Sequence, residues 1–362
     1  MACTWIKLIF GAALAGVLEV AHLWAVPSIS GVSGTLSGQA NSTSANQVTL
    51  TGSGFGTLWQ KPSLWATMET STNPTNMGFF TSWSGNENMT FTTTQQRTNS
   101  SGSAMGTWDP GVNAFSFFID YTKWETVYTY GRRRFDFANT ANQKTWRLWK
   151  ASGSTPDFLQ ATANDGMCYN ECNTSQEGRF QAYSYAANTT YIEEYVWTVG
   201  SNLGGPEVNG NGYWRHVRDG TEVQVSTKIA NCENDHKHLR VLENFTDSAA
   251  RPADGSKVWM DDLYVSTTTA RVMLGNASTF SASTQREIQI PISGNATSVT
   301  VYFHQGAFAN AATAYFYVCD GSVPDSCNSS GFQLTIGSEG IGVAKNMEIQ
   351  GSFSLSGSVT VK

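Results

Sequence analysis

Residues 126–137 read TVYTYGRRRFDF and form the most informative strand pattern of the chain. It is rich in aromatic and β-branched residues, which favour strands, and the side chains of a strand alternate between two faces. One face then carries Tyr128, Tyr130, Arg132, Arg134 and Asp136. The other face carries Val127, Arg133, Phe135 and Phe137. The stretch therefore predicts a strand with one polar, aromatic face.

Short runs of the same kind recur between clusters of Gly, Asn, Asp and Ser along the rest of the chain. Residues 179–185, 191–199 and 213–217 are examples, while helical periodicity is nearly absent beyond residue 25. Strands without helices to supply parallel crossovers pair antiparallel. We therefore expect an all-β protein built from antiparallel β-sandwiches.

The composition indicates a folded chain with a nearly neutral, polar surface. Charged residues make up 14% of the 362 residues, against about 25% in a typical soluble protein. The chain holds 12 Trp, 13 Tyr and 19 Phe, far more than a disordered chain would. The formal net charge is -6 and no basic run is longer than residues 132–134, so no nucleic-acid partner is expected.

Residues 1–25 have the pattern of a secretory signal peptide. Lys7 precedes an apolar run over residues 8–18, and Ala25 is a small residue at the expected cleavage position. The alternative is that this segment is not cleaved and anchors the protein in a membrane, which would place Glu19 in the hydrocarbon layer. We expect an extracellular or cell-surface protein. Nine Asn-x-Ser/Thr sites make it a glycoprotein wherever the host glycosylates.

The six cysteines allow more than one interpretation. In an oxidising compartment, short loops between cysteines favour disulfides. The expected pairs are Cys168 with Cys172 and Cys319 with Cys327, which leaves Cys232 over. A tetrahedral zinc site is the alternative, because thiolates and imidazoles at short spacings suit zinc. It would use Cys168, Cys172, Cys232 and either His236 or His238. Free thiols are the third alternative.

Two further stretches repeat the aromatic and polar alternation of residues 126–137. In residues 179–185 one face carries Arg179, Gln181, Tyr183 and Tyr185. In residues 191–197 one face carries Tyr191, Glu193, Tyr195 and Trp197. If these strands are neighbours in one sheet, the three rows form a trough that is open to solvent.

Such a trough suits a polysaccharide, because aromatic rings stack on sugar rings and guanidinium groups bind hydroxyls and carboxylates in pairs. The predicted ligand-binding residues are Tyr128, Tyr130, Arg132, Arg134, Arg179, Gln181, Tyr183, Tyr185 and Trp197. The alternative is an exposed sheet face held by cross-strand pairs, such as Arg132 or Arg134 with Glu193.

Two parts of the chain resemble known families. Residues 27–34, PSISGVSG, and 48–56, VTLTGSGFG, resemble the opening half of IPT/TIG immunoglobulin-like domains. Residues 298–301 and 332–336 resemble the closing half. Residues 259–265, WMDDLYV, resemble the closing strand of concanavalin A-like jelly rolls of the laminin-G and polysaccharide-lyase type.

The resemblances imply an Ig-like sandwich with a jelly roll inserted in it. The four segments are a signal peptide (1–25), the first part of an Ig-like IPT/TIG domain (27–62), a concanavalin A-like jelly roll (63–270), and the second part of the Ig-like domain with a C-terminal strand (271–362). Two separate partial Ig-like domains flanking the jelly roll are the alternative.

A polysaccharide lyase that acts by β-elimination on uronates is the alternative to simple binding. It needs a base at C5 and a group that neutralises the carboxylate. The candidate bases are Tyr183 and His216, and the candidate neutralising groups are Arg132, Arg134 and Gln181. The strand motifs Arg-x-Glu-x-Arg, Gln-x-His and Tyr-x-Lys-x-Gly of alginate-lyase jelly rolls are absent, which leaves catalysis open.

Two pairs of adjacent carboxylates were considered as a catalytic dyad or as metal ligands. The members of Glu193–Glu194 and of Asp261–Asp262 should point to opposite faces of their strands, so neither pair forms a glycosidase dyad. Asp254, Asp261 and Asp262 offer oxygen ligands for a structural Ca²⁺. No other cofactor is expected.

A third function is that of a structural subunit of an extracellular fibre. Residues 351–361, GSFSLSGSVTV, alternate in a way that suits a strand donated to a neighbouring copy. Self-association would follow from it. The alternative is that this segment is the last strand of its own module. Polysaccharide is the main expected partner, and a membrane would be met only through an uncleaved signal.

Overall fold

A computed structural model defines the fold of most of the chain. It describes residues 25–40, 46–68, 84–87, 89–107, 116–120, 125–138, 143–150, 158–163, 167–170, 177–179, 184–198, 212–229, 236–240, 245–246, 253–337 and 339–343. The predicted signal peptide, apart from Ala25, and the predicted donor segment 351–361 lie outside these residues and stay predictions. Within the described ranges no helix is long and apolar enough to cross a membrane.

The described residues form β-strands and no helix. The first thirteen strands are β1 (Ser28–Thr35), β2 (Gln47–Ser53), β3 (Leu64–Ala66), β4 (Ser84–Glu87), β5 (Met89–Thr92), β6 (Ser103–Thr107), β7 (Ser116–Asp120), β8 (Thr126–Phe135), β9 (Gln143–Lys150), β10 (Phe158–Ala163), β11 (Met167–Asn170), β12 (Glu177–Arg179) and β13 (Thr190–Thr198). The others are β14 (Gly212–Arg218), β15 (Thr221–Ile229), β16 (His236–Arg240), β17 (Phe245–Thr246), β18 (Lys257–Ser266), β19 (Arg271–Gly275), β20 (Arg286–Ile288), β21 (Ile290–Asn295), β22 (Ser298–Tyr302), β23 (Thr313–Cys319), β24 (Phe332–Thr335) and β25 (Glu339–Val343).

These strands form four antiparallel sheets. Sheet I has the order β21-β22-β2-β1-β25, and sheet II has the order β20-β19-β23-β24. Sheet III has the order β15-β14-β13-β8-β18-β6-β5, with β3 also paired to β18. Sheet IV has the order β12-β11-β10-β9-β16-β7-β4, with β17 paired to β9. The predicted all-β, antiparallel fold class is confirmed.

Sheet I combines strands from distant parts of the sequence. In its centre, Ser33 of β1 lies opposite Thr49 of β2 on one side and Ile341 of β25 on the other. Leu50 of β2 lies opposite Val299 of β22. Sheets III and IV instead take all their strands from β3 to β18. The four segment boundaries and the IPT/TIG resemblance stay predictions.

Sheet II lies between sheets I and III, because its strands bury both faces. Val272 and Leu274 of β19 belong to the same apolar core as Leu50 and other residues of sheet I. Met273, between them, belongs to the core that contains Tyr128 and other residues of sheet III. Alternation along a strand places successive side chains on opposite faces, so one face of sheet III is covered by sheet II.

Candidate functional site

The predicted trough around Tyr128, Tyr130 and Arg132 is buried, so the expectation that it faces solvent is wrong. Their exposed fractions are 0%, 1% and 6%. These residues lie on the side of sheet III that packs against sheet II, which we call the Arg132 face. The three side chains therefore offer no surface to a polysaccharide.

Both tyrosines have partners inside the protein. The hydroxyl of Tyr128 donates to Glu194 Oε2 at 2.8 Å, and the guanidinium carbon of Arg271 lies 4.8 Å from the centre of the Tyr128 ring. The hydroxyl of Tyr130 donates to the carbonyl of Arg286 at 2.9 Å. These contacts connect β8 and β13 to β19 and β20, so the polar groups hold two sheets together.

Arg132 belongs to a buried network of ion pairs. Its guanidinium contacts Glu287 of β20 and lies 3.2 Å, Nε to Oδ2, from Asp262 of β18. Arg97 Nε lies 2.5 Å from the same Asp262 oxygen. The expected cross-strand pair of Arg132 or Arg134 with Glu193 is wrong, because Glu193 lies on the opposite face, beside Arg133.

Asp261 and Asp262 both point towards Arg97, so the expectation that they face opposite ways is wrong. The backbone N–H of Arg97 donates to Asp261 Oδ2 at 3.3 Å. The register of β18 against β8 shifts between Asp261 and Tyr264, and Asp262 has a φ of 52°. This irregularity interrupts the alternation. Burial and then Asp262 raise the pKa of Asp261. Burial would also raise the pKa of Asp262, but Arg97, His304 and Arg132 together outweigh it and lower this pKa.

Metal binding is the other chemistry that these acids suggest. Ligand atoms of Asp262, Glu287 and His304 lie within 4.8 Å of one another. However, Arg97 and Arg132 already supply positive charge to the two carboxylates, and a divalent cation would be repelled there. Binding of Ca²⁺ by Asp254, Asp261 and Asp262 stays a prediction.

A second buried network includes the only disulfide among the described residues. Cys319 and Cys327 are bonded, which confirms that expected pair. The loop between them holds Asp325, whose Oδ1 lies 2.7 Å from Arg215 of β14 and whose Oδ2 lies 2.7 Å from Arg271 of β19. Burial would raise the pKa of Asp325, but Arg271 and then Arg215 lower it.

The opposite side of sheet III, which we call the Arg133 face, carries a compact polar and aromatic cluster. Arg133 NH1 lies 2.8 Å from Glu193 Oε2. The hydroxyls of Tyr185 and Tyr195 donate to Glu193 Oε1 at 2.6 and 3.0 Å, and His216 Nε2 lies 3.1 Å from the same oxygen. The strand register brings these side chains together, because Tyr195 of β13 lies opposite His216 of β14.

The electrostatics of this cluster fix one negative charge at its centre. Burial alone would raise the pKa of Glu193, but Arg133 and the hydrogen bond with His216 lower it well below its usual range. Burial lowers the pKa of His216, against the opposite effect of Glu193. The His216 ring stacks on Tyr195 with centroids 4.3 Å apart. Near neutral pH the cluster therefore holds a carboxylate, a guanidinium and a neutral imidazole.

A pocket opens beside this cluster. It is lined by Thr129, Tyr130, Gly131, Arg132, Arg133, Glu193, Tyr195, Met260 and Leu263. The space that it encloses is about 10 Å³, which is room for about one water-sized group. The pocket therefore joins the charged pair of β8 and β13 to apolar side chains of β18.

The structure distributes the other predicted residues over several places. Tyr185 belongs to the Arg133 face cluster, and Trp197 is buried and lies opposite Trp214. Arg134 donates to Asn188 Oδ1 at 3.1 Å, away from the pocket.

For several of the predicted residues the side chain lies outside the described part of the structure. Gln181, Tyr183, Cys172 and Cys232 lie outside the described residues, as do the side chains of Arg179, Cys168, His236 and His238. The Cys168–Cys172 disulfide, the zinc alternative and the roles of Gln181, Tyr183 and Arg179 stay predictions.

Arg133 and Glu193 were missed as a pair by the sequence reasoning. The signal was present: Arg133 is a charge on a face that also carries Val127, Phe135 and Phe137, and a buried charge requires an opposite partner. Glu193 lies on the polar row of β13, two residues from Tyr195. Only the strand register, in which Glu193 lies opposite Gly131, shows that Arg133 and the polar row of β13 lie on the same face of the sheet.

Comparison with protein families gives no match, and neither does comparison with curated proteins. Several solved structures are similar. The PL-14 alginate lyase from Aplysia kurodai is 13% identical with a TM-score of 0.40, over 58% of this chain and 98% of that one. The Emp46p carbohydrate recognition domain is 10% identical with a TM-score of 0.37, over 57% and 97%. The cellulose-induced protein Cip1 is 12% identical with a TM-score of 0.36, over 51% and 87%. At these values the similarities assign no function.

Proposed function

We propose that this protein binds an extracellular polysaccharide, and that one hydroxyl group of a sugar unit enters the small pocket beside Arg133, Glu193 and Tyr195. One observation carries the proposal: a guanidinium, a carboxylate and a tyrosine line the same pocket. Guanidinium donors and carboxylate acceptors form strong hydrogen bonds with hydroxyl groups.

The size of the pocket limits what it can take. The space that it encloses is only about 10 Å³, which is room for about one water-sized group. A single sugar hydroxyl, with the ring that carries it lying outside, is the occupant we propose.

Export to the extracellular space is part of the same proposal. The Cys319–Cys327 disulfide supports it, because disulfides persist in oxidising compartments. The signal-like pattern of residues 1–25 supports it independently. Attachment to a surface polysaccharide would then require no cofactor.

Glycan binding of matched arginine variants tests the proposal. Arg133→Gln removes the guanidinium that lines the pocket, and we expect affinity to fall about 10- to 100-fold, as for a lost hydrogen bond to a charged group. Arg134→Gln is the control, because Arg134 is the next residue of the same strand but contacts Asn188 instead. A glycan array selects the ligand, and calorimetry measures the two affinities. Equal affinities for the two variants would reject this pocket, and an array without any bound glycan would reject the function.

A second variant covers the case in which loss of Arg133 prevents folding. A Cβ added at Gly131 would lie 3.8 Å from its nearest atoms, the carbonyl of Asp262 and Cε of Met260, which is ordinary contact. Gly131→Ala therefore removes no partner of Arg133 while it fills part of the pocket. We expect a folded protein whose glycan affinity is reduced about fivefold or more, in the range of overpacking effects. Unchanged affinity would place the sugar elsewhere.

β-Elimination of a uronate-containing glycan is the second candidate function. The observation that favours it is the neutral His216 ring beside the Tyr195 hydroxyl and Arg133, since a base and a neutralising cation are the groups that this reaction needs. The assay is the appearance of ultraviolet-absorbing unsaturated uronate ends. Their appearance with wild-type protein and loss in His216→Gln would support a lyase, and their absence across a uronate panel would exclude one.

A further inference from the structure

We propose that Asn295 is an acceptor for an N-linked glycan in the folded protein, whereas Asn99 and Asn328 are not. The inference rests on the proposed export and not on polysaccharide binding. Five of the nine Asn-x-Ser/Thr sites lie within the described residues, at Asn99, Asn188, Asn276, Asn295 and Asn328. The atom that carries the sugar is the side-chain nitrogen Nδ2. The surroundings of Nδ2 therefore distinguish sites that share one sequence motif.

Asn295 lies at the exposed turn of a hairpin. It ends β21, and the two residues Ala296 and Thr297 connect it to β22. All three residues are exposed. The carbonyls of Ala296 and Thr297 accept hydrogen bonds from the backbone N–H groups of Phe55 and Gly52, at 3.0 and 2.8 Å. These contacts fix the backbone of the turn without using the Asn295 side chain.

The amide of Asn295 is oriented by its own turn. Its Oδ1 accepts hydrogen bonds from the backbone N–H and the hydroxyl of Thr297, at 2.9 and 3.1 Å, and from the N–H of Ser298 at 3.0 Å. Bonds of this local kind are typical of Asn in turns. Within the described residues Nδ2 donates no hydrogen bond. A sugar attached to Nδ2 would therefore break none of the described contacts.

The side chains of Asn328 and Asn99 are instead part of the fold. Asn328 is 4% exposed, its Nδ2 donates to the carbonyl of Ser330 at 2.6 Å, and its Oδ1 accepts from a backbone N–H of β23 at 2.6 Å. Asn99 Nδ2 donates to the carbonyls of Gly306 and Phe308 at 3.3 and 2.8 Å. A glycan is bulky and belongs on a surface. It has no room at Asn328, and at Asn99 it would displace hydrogen bonds between loops.

Asn188 and Asn276 are exposed, but their amides have partners elsewhere in the chain. Asn276 Nδ2 donates to Thr284 Oγ1 at 3.2 Å. Asn188 Oδ1 accepts from Arg134 at 3.1 Å, and the backbone of Asn188 has a φ of 60°. Of the five described sites, only Asn295 combines exposure with an amide whose partners all lie in its own turn. We therefore expect Asn295 to be the most fully modified of the five.

The modification joins Nδ2 of Asn295 to C1 of a sugar. The donor is an oligosaccharide linked to a lipid through pyrophosphate, which the secretory pathway supplies. The bond between Nδ2 and C1 forms, and the bond between C1 and the pyrophosphate oxygen breaks. The lipid pyrophosphate leaves with the electron pair, and Nδ2 gives one proton to a base of the transferring enzyme. Transfer can precede folding, and the fold then acts as a filter, because a chain modified at Asn328 cannot bury that side chain.

Site occupancy in the secreted, folded protein tests the proposal. The full chain is produced in a eukaryotic host that glycosylates, recovered from the medium, and treated with a peptide N-glycosidase in heavy-oxygen water, which converts each glycosylated Asn into a labelled Asp. Peptide mass spectrometry gives the occupancy of each site. We expect occupancy at Asn295 to be at least about tenfold higher than at Asn99 or Asn328, whose amides would lose hydrogen bonds. Thr297→Ala should abolish the label at Asn295, and Thr297→Ser, which keeps the hydroxyl, should retain it.

The outcomes separate this assignment from the proposed function. Asn295 without a glycan in the secreted protein, or Asn99 or Asn328 occupied to a similar extent, would overturn the assignment. A label that persists in Thr297→Ala would show spontaneous deamidation and would overturn it as well. If no protein reaches the medium, the proposed export is rejected, and a chain whose residues 1–25 are replaced by the signal peptide of another secreted protein decides the glycan site. A glycan array without any bound glycan rejects polysaccharide binding and leaves the occupancy result unaffected.

Discussion

Asp325→Asn should destabilise the protein by about 3 kcal/mol. The side chains of Asp325 and Arg271 are 1% and 2% exposed, and their closest oxygen and nitrogen are 2.7 Å apart. Removing one partner of a buried ion pair costs about 3–5 kcal/mol, because the other charge stays buried without compensation. We place the loss at the lower end, since Glu194 Oε2 still lies 3.5 Å from Arg271 Nε.

The assay is chemical unfolding followed by tryptophan fluorescence. Glu222→Gln is a matched control, because Glu222 pairs with the same Arg215 as Asp325 does, at 3.0 Å, but its side chain is 47% exposed. An exposed pair contributes about 0–1 kcal/mol, so this variant should unfold almost as the wild type does. A loss for Asp325→Asn no larger than that for Glu222→Gln would refute the idea that the disulfide loop supplies a necessary buried charge.

Two further predictions follow from the same networks. First, the stability difference between wild type and Asp325→Asn should shrink as the pH falls below about 4. The reason is that the pKa of Asp325 is lower in the folded state than its unfolded value of 3.8, so its stabilising effect is present above that value and is lost when the carboxylate is protonated. Urea unfolding at pH 3 and pH 6 measures the difference, and a constant difference would contradict the assignment. Second, Gly306→Ala should destabilise by about 1–3 kcal/mol, because Gly306 has a φ of +58° and an added Cβ would overlap the Glu287 carboxylate. Thermal unfolding measures this loss, and a variant as stable as wild type would show that Glu287 is free to move.

Strand alternation predicted much of the local structure. The sequence around residue 130 places Tyr128, Tyr130 and Arg132 on one face, and the structure agrees. It also places Glu193 and Glu194 on opposite faces, as their contacts with Arg133 and Tyr128 confirm. Such predictions succeed because the period of two is a property of the strand itself.

Burial of that face could not be predicted in the same way. The groups that cover it, such as Arg271 and Glu287, come from strands more than 130 residues further along the chain. Polar and aromatic side chains are typical of a strand face that is exposed to solvent. The local sequence does not distinguish such a face from one that forms charged contacts with another sheet. The pairing of Arg133 with Glu193 likewise depends on register, which alternation within one strand does not fix.

The Asp261–Asp262 pair shows a different limit. Alternation predicts opposite directions for neighbours, but the irregular pairing of β18 lets both carboxylates reach Arg97. A bulge of this kind is set by the strands on either side of it. The motif WMDDLYV therefore indicated a strand correctly while its acids took positions that regular geometry does not allow.

The arrangement of sheet I has a consequence for biosynthesis. β1 and β2 leave the ribosome early. Sheet I cannot form completely until Val299, which pairs with Leu50, and Ile341, which pairs with Ser33, have also been synthesised. At about 5–20 residues per second, the roughly 250 residues between Leu50 and Val299 take about 12–50 s to translate. During that interval the early hairpin exposes unpaired edges, so we expect nascent chains to depend on a chaperone that shields this hairpin until translation is nearly finished.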